Sequence, residues 1–357
     1  MKITRLDTAV YRFPTPEPEA DGTLEWNATT AVAVTAHAGD MAGLGWTYST
    51  GAAAAVVREH LVDAVLGQDC ADVAACWDAM HRACRNLGTR GLVMQALSAV
   101  DIALWDLKAR AIGVSLRELF GAVRREVPVY GSGGFTTMSD AELDEQVAQW
   151  KALGCHAMKI KIGESWGRRA DRDLSRVAHL RELAPDADLM VDANGGYSRA
   201  QARRVGAALD DLGVVWFEEP VSSDDLDGLA VVRDCVQGDV TAGEYASDVY
   251  DAARLCRVVD CLQLDATRCG GYTGFARAAD VAAAHNLEVS AHCAPALHAP
   301  IAAATANLRH VEYFADHARL EPLLVEHAPV VREGVMRAND TAGHGLVLHT
   351  DAERWRT

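Results

Sequence analysis

No Cys-x-x-Cys pair occurs in the 357 residues, although the chain carries nine cysteines. An odd, scattered set suits neither a disulfide framework nor a thiolate metal site, so reduced thiols in a cytoplasmic setting are expected. The first twenty residues lack the apolar segment of a secretory leader, which adds to that expectation. No 18-residue apolar run exists: the alanine-rich stretch 281–308 is broken by His285, Asn286, Glu288, His292 and two prolines, so no membrane partner is expected. Positive charge is scarce too. The 34 Lys and Arg face 50 Asp and Glu, a formal charge of −16. That sign repels nucleic-acid phosphates and anionic membrane, and a small anionic substrate would need a local cation to hold it. What the chain has in quantity is apolar residues, 50% of the total, enough for a large barrel and a smaller domain.

Residues 1–13 and 29–38 alternate in the manner of strands. Between them, "PTPEPEADGTLEWN" (14–27) is rich in Pro and acid and predicts an exposed loop; "GLGWTYSTG" (43–51) predicts another. The stretch 92–111 repeats apolar residues at helical spacing. From Val127 the rhythm changes to short apolar runs alternating with amphipathic segments: VPVYG, AMKIKIG, DLMVDAN, VVWFEEP, VTAGE, CLQLDA, EVSAHCAP and HVEYF. Eight such runs predict parallel strands buried on both faces, hence an α/β chain closed as a (β/α) barrel, with a doubly wound open sheet as the alternative. "GSGG" (131–134) lacks the spacing of a dinucleotide fingerprint.

The runs end on titratable residues: Lys159 and Lys161, then Asp192, Glu218, Glu244, Asp265, His292 and Glu312. Any one of them has an ordinary explanation, such as a helix cap, a turn former or a core histidine. In a parallel barrel, however, all strand C-termini open on one face. Asp192, Glu218 and Glu244 recur at intervals of 26 residues, one β-α unit each. Three carboxylates facing one another require a cation, and an all-oxygen set suits Mg²⁺. Lys159 and Lys161, two apart on a strand, share a face; one ammonium beside another and near Mg²⁺ should have a lowered pKa and act as a base. Asp265 beside His292 would fix the imidazole tautomer, giving a second proton-transfer group.

The motifs KIK (159–161), DAN (192–194), FEEP (217–220), GE (243–244), DATRCGG (265–271), AHCAP (291–295) and EYF (312–314) together resemble the enolase superfamily, mandelate racemase subgroup. The resemblance implies an N-terminal α+β capping domain (1–123), a modified (β/α)7β TIM-type barrel (124–322), and a C-terminal segment (323–357) returning to the cap. It implies Asp192, Glu218 and Glu244 as ligands of Mg²⁺, which would stabilise an enediolate. Lys161 and the His292–Asp265 dyad would be bases, Lys159 an electrostatic helper, and Glu312 a protonated hydrogen-bond donor to the substrate carboxylate. Asn194, in the DAN motif, is a candidate substrate contact. Relatives that use a lysine after the sixth strand as second base differ here: Arg268 stays charged, so that role falls to His292, and Arg268 is expected to screen Asp265 or nearby carboxylates.

Two bases of different kind leave two reactions open. Dehydration of an aldonic or aldaric acid to a 2-keto-3-deoxy acid is the expected one, with racemisation or epimerisation of a 2-hydroxy acid as the alternative. A non-catalytic metal-binding barrel is the remote one. Trp26, Trp46 and Tyr48 lie in the expected specificity loops and are candidates to wall the pocket. The expected partner is a small carboxylate, an acid sugar, within a homo-oligomer of the kind relatives form.

Overall fold

The computed structural model describes residues 1–357. Strands β1 (Arg5–Ala20), β2 (Glu25–Ala38) and β3 (Met41–Tyr48) form an antiparallel sheet, against which the helix Leu92–Ile112 packs. Both expected loops are largely strand, with a turn at 21–24 and β3 ending at Tyr48. β1 runs on through Pro14, Pro16 and Pro18 because the pairing with β2 shifts register between Pro14 and Glu19; β1 is the edge of the sheet, where missing N–H groups cost no ladder bonds. Segment 43–51 gives most of β3. There the backbone lies directly on the long helix, and a Cβ at Gly43 would stand 2.2 Å from the Ala103 carbonyl oxygen. Glycine at this position marks close packing rather than a turn.

Eight parallel strands follow: β4 (Val127–Gly133), β5 (Ala157–Lys161), β6 (Asp188–Asp192), β7 (Val214–Glu218), β8 (Asp239–Ala242), β9 (Cys261–Leu264), β10 (Glu288–Ala291) and β11 (Leu308–Phe314). Pairing runs in chain order, and β11 closes on β4 through Val311↔Val129 to Phe314↔Ser132, so the sheet is a barrel and the open-sheet alternative is excluded. Helices lie between the strands, several with capping boxes or acceptor caps legible in the sequence: Ser139 with Glu142, Ser198, and Asp225.

Cap and barrel are joined by buried polar contacts. Asp101 on the long helix accepts from Thr273 Oγ1 at 2.6 Å and from its N–H at 3.0 Å, and Thr47 donates to the Thr267 carbonyl at 2.8 Å. The β1–β2 hairpin reaches over the mouth: Thr136 N–H donates to Ala20 O at 2.8 Å and Trp166 N–H to Gly22 O at 2.9 Å. Gly22 rests so closely on the ends of β5 and β6 that a Cβ would lie 2.6 Å from Ile162 O. The C-terminal residues return to the cap, where Thr357 N–H donates to Val10 O and the His344 ring pairs with Leu44 O at 2.7 Å. No helix is long and apolar enough to cross a membrane.

Gly43→Ala should force β3 off the long helix and lower stability by about 1–3 kcal/mol. Thermal unfolding of the purified variant checks this, and an unchanged midpoint would contradict the close approach.

Candidate active site

Around the barrel the order is β5, β6, β7, β8, β9, β10, so the residues ending these strands form an arc. Lys161 stands at one end and the loop carrying His292 at the other. Asp192, Glu218 and Glu244 lie between, with ligand oxygens all within 4.8 Å of one another. All of these side chains are buried. At such separations each like-charge pair costs about 4 kcal/mol at an effective dielectric near 20, so the trio persists only with compensating cations.

Those cations are visible. Lys159 Nζ reaches both Glu218 oxygens, at 2.7 and 2.8 Å, and Glu312 Oε1 at 2.9 Å. Lys161 pairs with Asp192. Arg268 meets Glu244 Oε1 at 3.1 Å and Asp265 Oδ2 at 3.4 Å, the screening position expected for it. His292 Nδ1 lies 2.9 Å from Asp265 Oδ2, and its Nε2 lies 3.3 Å from Glu244 Oε2. Asp265 is held in turn by the N–H and hydroxyl of Thr267, both at 2.7 Å.

Six buried carboxyls (these five and Glu219) thus face four basic side chains, an excess of two negative charges when all are ionised. Glu219 Oε1 and Asn194 Oδ1 are buried oxygens without a hydrogen-bond donor, and Glu244 Oε2 has only the His292 ring, 3.3 Å away. An excess of two charges together with orphaned oxygens fits a divalent, oxygen-seeking cation on Asp192, Glu218 and Glu244. A second cluster, His292, Cys293 and Glu312, fits a metal poorly. Burial raises the Cys293 thiol far above its ordinary pKa, and a protonated thiol is a weak ligand.

Two protonation expectations meet opposing neighbours within the protein. Burial opposes charge on Lys161, but the adjacent Asp192 outweighs it and holds the lysine pKa above its ordinary value; Lys159 lowers it only as a smaller effect. Burial pushes Glu312 up, yet Lys159, His292 and Lys161 together pull it well below the usual carboxylate range. Burial also pushes Glu244 up, but His292, Arg268 and Lys161 bring it to about 2.

The cap residues divide. Trp26 meets Phe135 edge-on at 5.6 Å, Phe135 meets Phe314 likewise, and Lys161 lies 5.8 Å from the Phe314 ring, so Trp26 belongs to the wall of the mouth. Tyr48 stacks on His317 at 3.7 Å and donates to Glu321 Oε1 at 3.2 Å. Trp46 is fully buried against His344, between cap and C-terminal segment, and does not wall the pocket. Position along the strand and not facing makes the difference: Trp46 and Tyr48 share a face of β3, and Tyr48 ends the strand, where it meets His317 and Glu321.

Sequence reasoning missed several contacts. Ser132, inside the rejected GSGG, donates to Glu312 Oε1 at 2.6 Å, and the Cys293 N–H donates to Glu312 Oε2 at 2.9 Å. Trp216 donates its indole N–H to Glu218 Oε2 at 2.8 Å. Period-two spacing carried that last signal, since Trp216 and Glu218 share a strand face.

Residues 142–352 match the enolase C-terminal domain-like family and residues 5–121 the mandelate racemase / muconate lactonizing enzyme N-terminal domain. This chain belongs to the enolase superfamily, in its mandelate racemase subgroup, and is an enzyme. A mandelate racemase/muconate lactonizing enzyme-like protein from Rubrobacter xylanophilus shares 41% identity and a TM-score of 0.97, with 100% of each chain covered. The 3,6-anhydro-alpha-L-galactonate cycloisomerase of Streptomyces coelicolor is 34% identical over 367 residues, 99% of this chain and 98% of the relative. The L-talarate/galactarate dehydratase of Salmonella typhimurium is 31% identical over 320 residues, 88% of this chain and 79% of the relative. Its structure liganded with Mg and L-lyxarohydroxamate has a TM-score of 0.92 at 27% identity, covering 100% of this chain and 93% of that one.

Burial pushes Glu321 up to about 8. The unfolded chain releases this proton near 4.5 while the folded one keeps it to about 8, so Glu321 makes stability fall as pH rises through that window. Glu321→Gln should therefore flatten the decline in unfolding midpoint between pH 5 and pH 8. A midpoint difference equal to the parent's would show that Glu321 is not protonated at the lower end.

Proposed function

We propose that this enzyme dehydrates an acid sugar, an aldonate or aldarate, to a 2-keto-3-deoxy acid. The observation that carries this reading is the placement of two unlike proton-transfer groups, Lys161 and the His292–Asp265 pair, at the two ends of one arc of acids. A dehydration needs such a pair, one group to take a proton from carbon and another to give one to oxygen. The talarate/galactarate dehydratase among the relatives supports it.

Magnesium held by Asp192, Glu218 and Glu244 would supply the positive charge that fixes the substrate carboxylate and acidifies its α carbon. Lys161, whose ammonium Asp192 stabilises until that carboxylate is engaged by a cation, takes the α proton as the free amine. His292, oriented by Asp265, gives a proton to the β-hydroxyl as the Cβ–O bond breaks, and water leaves. The resulting enol becomes the 2-keto acid on tautomerisation. Lys159 holds Glu218 and Glu312 in place, and ionised Glu312 steadies Lys159 and the Cys293 N–H rather than donating to substrate. Arg268 keeps Glu244 and Asp265 apart as charges. Asn194 offers its free Oδ1 to a substrate hydroxyl, while Trp26 and the hairpin tip exclude water from above the site.

A second reading is favoured by the near full-length match to the anhydrogalactonate cycloisomerase. There the bond broken at Cβ would belong to a ring ether, and the same two groups would serve.

Incubation with a panel of acid sugars and Mg²⁺ should yield 2-keto acid from at least one of them. A ring-opened isomer with no water lost would favour the second reading, and inversion at the α carbon without keto product would favour racemisation. Lys161→Ala and His292→Asn should each reduce product formation by about 10³-fold or more, with circular dichroism and Mg²⁺ binding by calorimetry unchanged. Retained turnover in both would refute the assignment of bases. Chelation should inactivate, and added Mg²⁺ should restore.

A further inference from the structure

His298, in the helix Pro295–Ala304, contacts none of the charged groups above, yet it is fully buried and uses both ring nitrogens. Its Nε2 lies 2.9 Å from the N–H of Ala266, the residue after Asp265. Its Nδ1 lies 2.8 Å from the carbonyl of Cys293, the residue after His292, and 3.1 Å from that of Ala294. An amide N–H can only donate and a carbonyl can only accept, so the tautomer is determined: Nε2 is bare and Nδ1 carries the hydrogen. One neutral imidazole therefore ties the backbone after β9 to the backbone after β10, immediately beyond each half of the acid–base pair.

The segment it grips needs holding. Cys293 and Ala294 have φ of 52° and 40°, a left-handed conformation that side chains with a Cβ adopt at a cost and keep only when their surroundings insist. Their N–H groups are taken by Glu312 and His317, at 2.9 and 3.0 Å; the Cys293 carbonyl is taken by the His298 ring, and that of Ala294 is shared between the ring and the backbone N–H groups of Leu297 and His298. Among these partners His298 alone also reaches the Asp265 side. Without it, the Cys293 carbonyl would lose its donor, while that of Ala294 would keep the N–H groups of Leu297 and His298, and the left-handed pair could relax at Cys293, carrying His292 away from Asp265.

The geometry points to His298 as a positioning residue: it sets the separation and facing of His292 and Asp265, and so controls proton delivery by that pair without touching substrate. This rests on the dehydratase reading, in which Lys161 removes the α proton and His292 serves the leaving group. The two halves of the site should therefore respond differently. β5 and Lys161 share no hydrogen bond with His298.

The test is His298→Phe, which keeps a ring against Phe275, 5.6 Å away, and removes both hydrogen bonds. Keto-acid formation should fall about a hundredfold, the penalty expected for slight misplacement of a catalytic group. Deuterium wash-in at the α carbon of recovered substrate in D₂O, the signature of Lys161 alone, should stay within about threefold of the parent. Should His298→Phe fail to fold, His298→Asn carries the same expectation, because its amide is too short to span from Ala266 to Cys293. Turnover within about threefold of the parent in a folded variant, or wash-in falling in step with turnover, would overturn the proposal. His292→Asn, run alongside, separates the two claims. If it still forms keto acid, His292 is not the proton donor and the role of His298 fails with that assignment, and if the parent forms no keto acid the dehydratase reading itself fails; if His292→Asn is inactive while His298→Phe is unimpaired, only the role of His298 fails.

Discussion

Negative charge packed out of water is the constraint on which this structure turns. Asp192, Glu218, Glu219, Glu244, Asp265 and Glu312 are each nearly inaccessible to solvent and lie around one barrel mouth. Isolated buried charges of this kind are prohibitive, and even paired ones demand good geometry and full hydrogen bonding. Nearly every polar contact in the site meets that demand: Lys159 beneath Glu218 and Glu312, Lys161 on Asp192, Arg268 between Glu244 and Asp265, Thr267 under Asp265. The oxygens short of a partner belong to Glu219 and Asn194, and to Glu244, whose Oε2 has only the His292 ring; there a divalent cation and its ligand would be received.

The same constraint accounts for the cap. A mouth open to water would screen these interactions and blunt the field on a substrate. The β1–β2 hairpin lies across the mouth with Gly22 against the ends of β5 and β6, and Asp101 and Thr47 anchor the cap to the barrel behind it. The C-terminal segment fastens the far side of the cap by way of His344 and Thr357. Tyr48 goes further, since its contacts with His317 and Glu321 link a cap strand to the two side chains that hold the N–H groups of Ala294 and Ala296, just beyond His292. Substrate recognition above and proton transfer below thus share a packed connection.

Legibility along the chain followed the strength of local periodicity. The eight barrel strands stood out because a parallel strand covered on both faces must be apolar throughout, which leaves a short unbroken run bounded by polar residues. The acids and bases ending those runs were legible for the same reason. The cap hairpin was not: three prolines at alternate positions read as a loop, and only pairing with β2 along a sheet edge makes them a strand. Gly43 and Gly45 likewise resembled turn formers until the helix Leu92–Ile112 was seen to lie on them.

Type, order and spacing of the reactive residues were determined by the amino-acid sequence alone, because one β-α unit per acid leaves the chain no other way to bring them to a common face. Their protonation was decided only by the tertiary structure. Lys161 was expected to lose its proton easily beside Lys159, and instead its nearest neighbour is Asp192; Glu312 was expected to keep its proton, and three cations surround it. A charge responds to whatever lies within a few ångströms from every direction, and most of those neighbours come from other strands. For the same reason His298, an unremarkable residue in an alanine-rich stretch, acquires significance only when the two loops it joins are brought together in space.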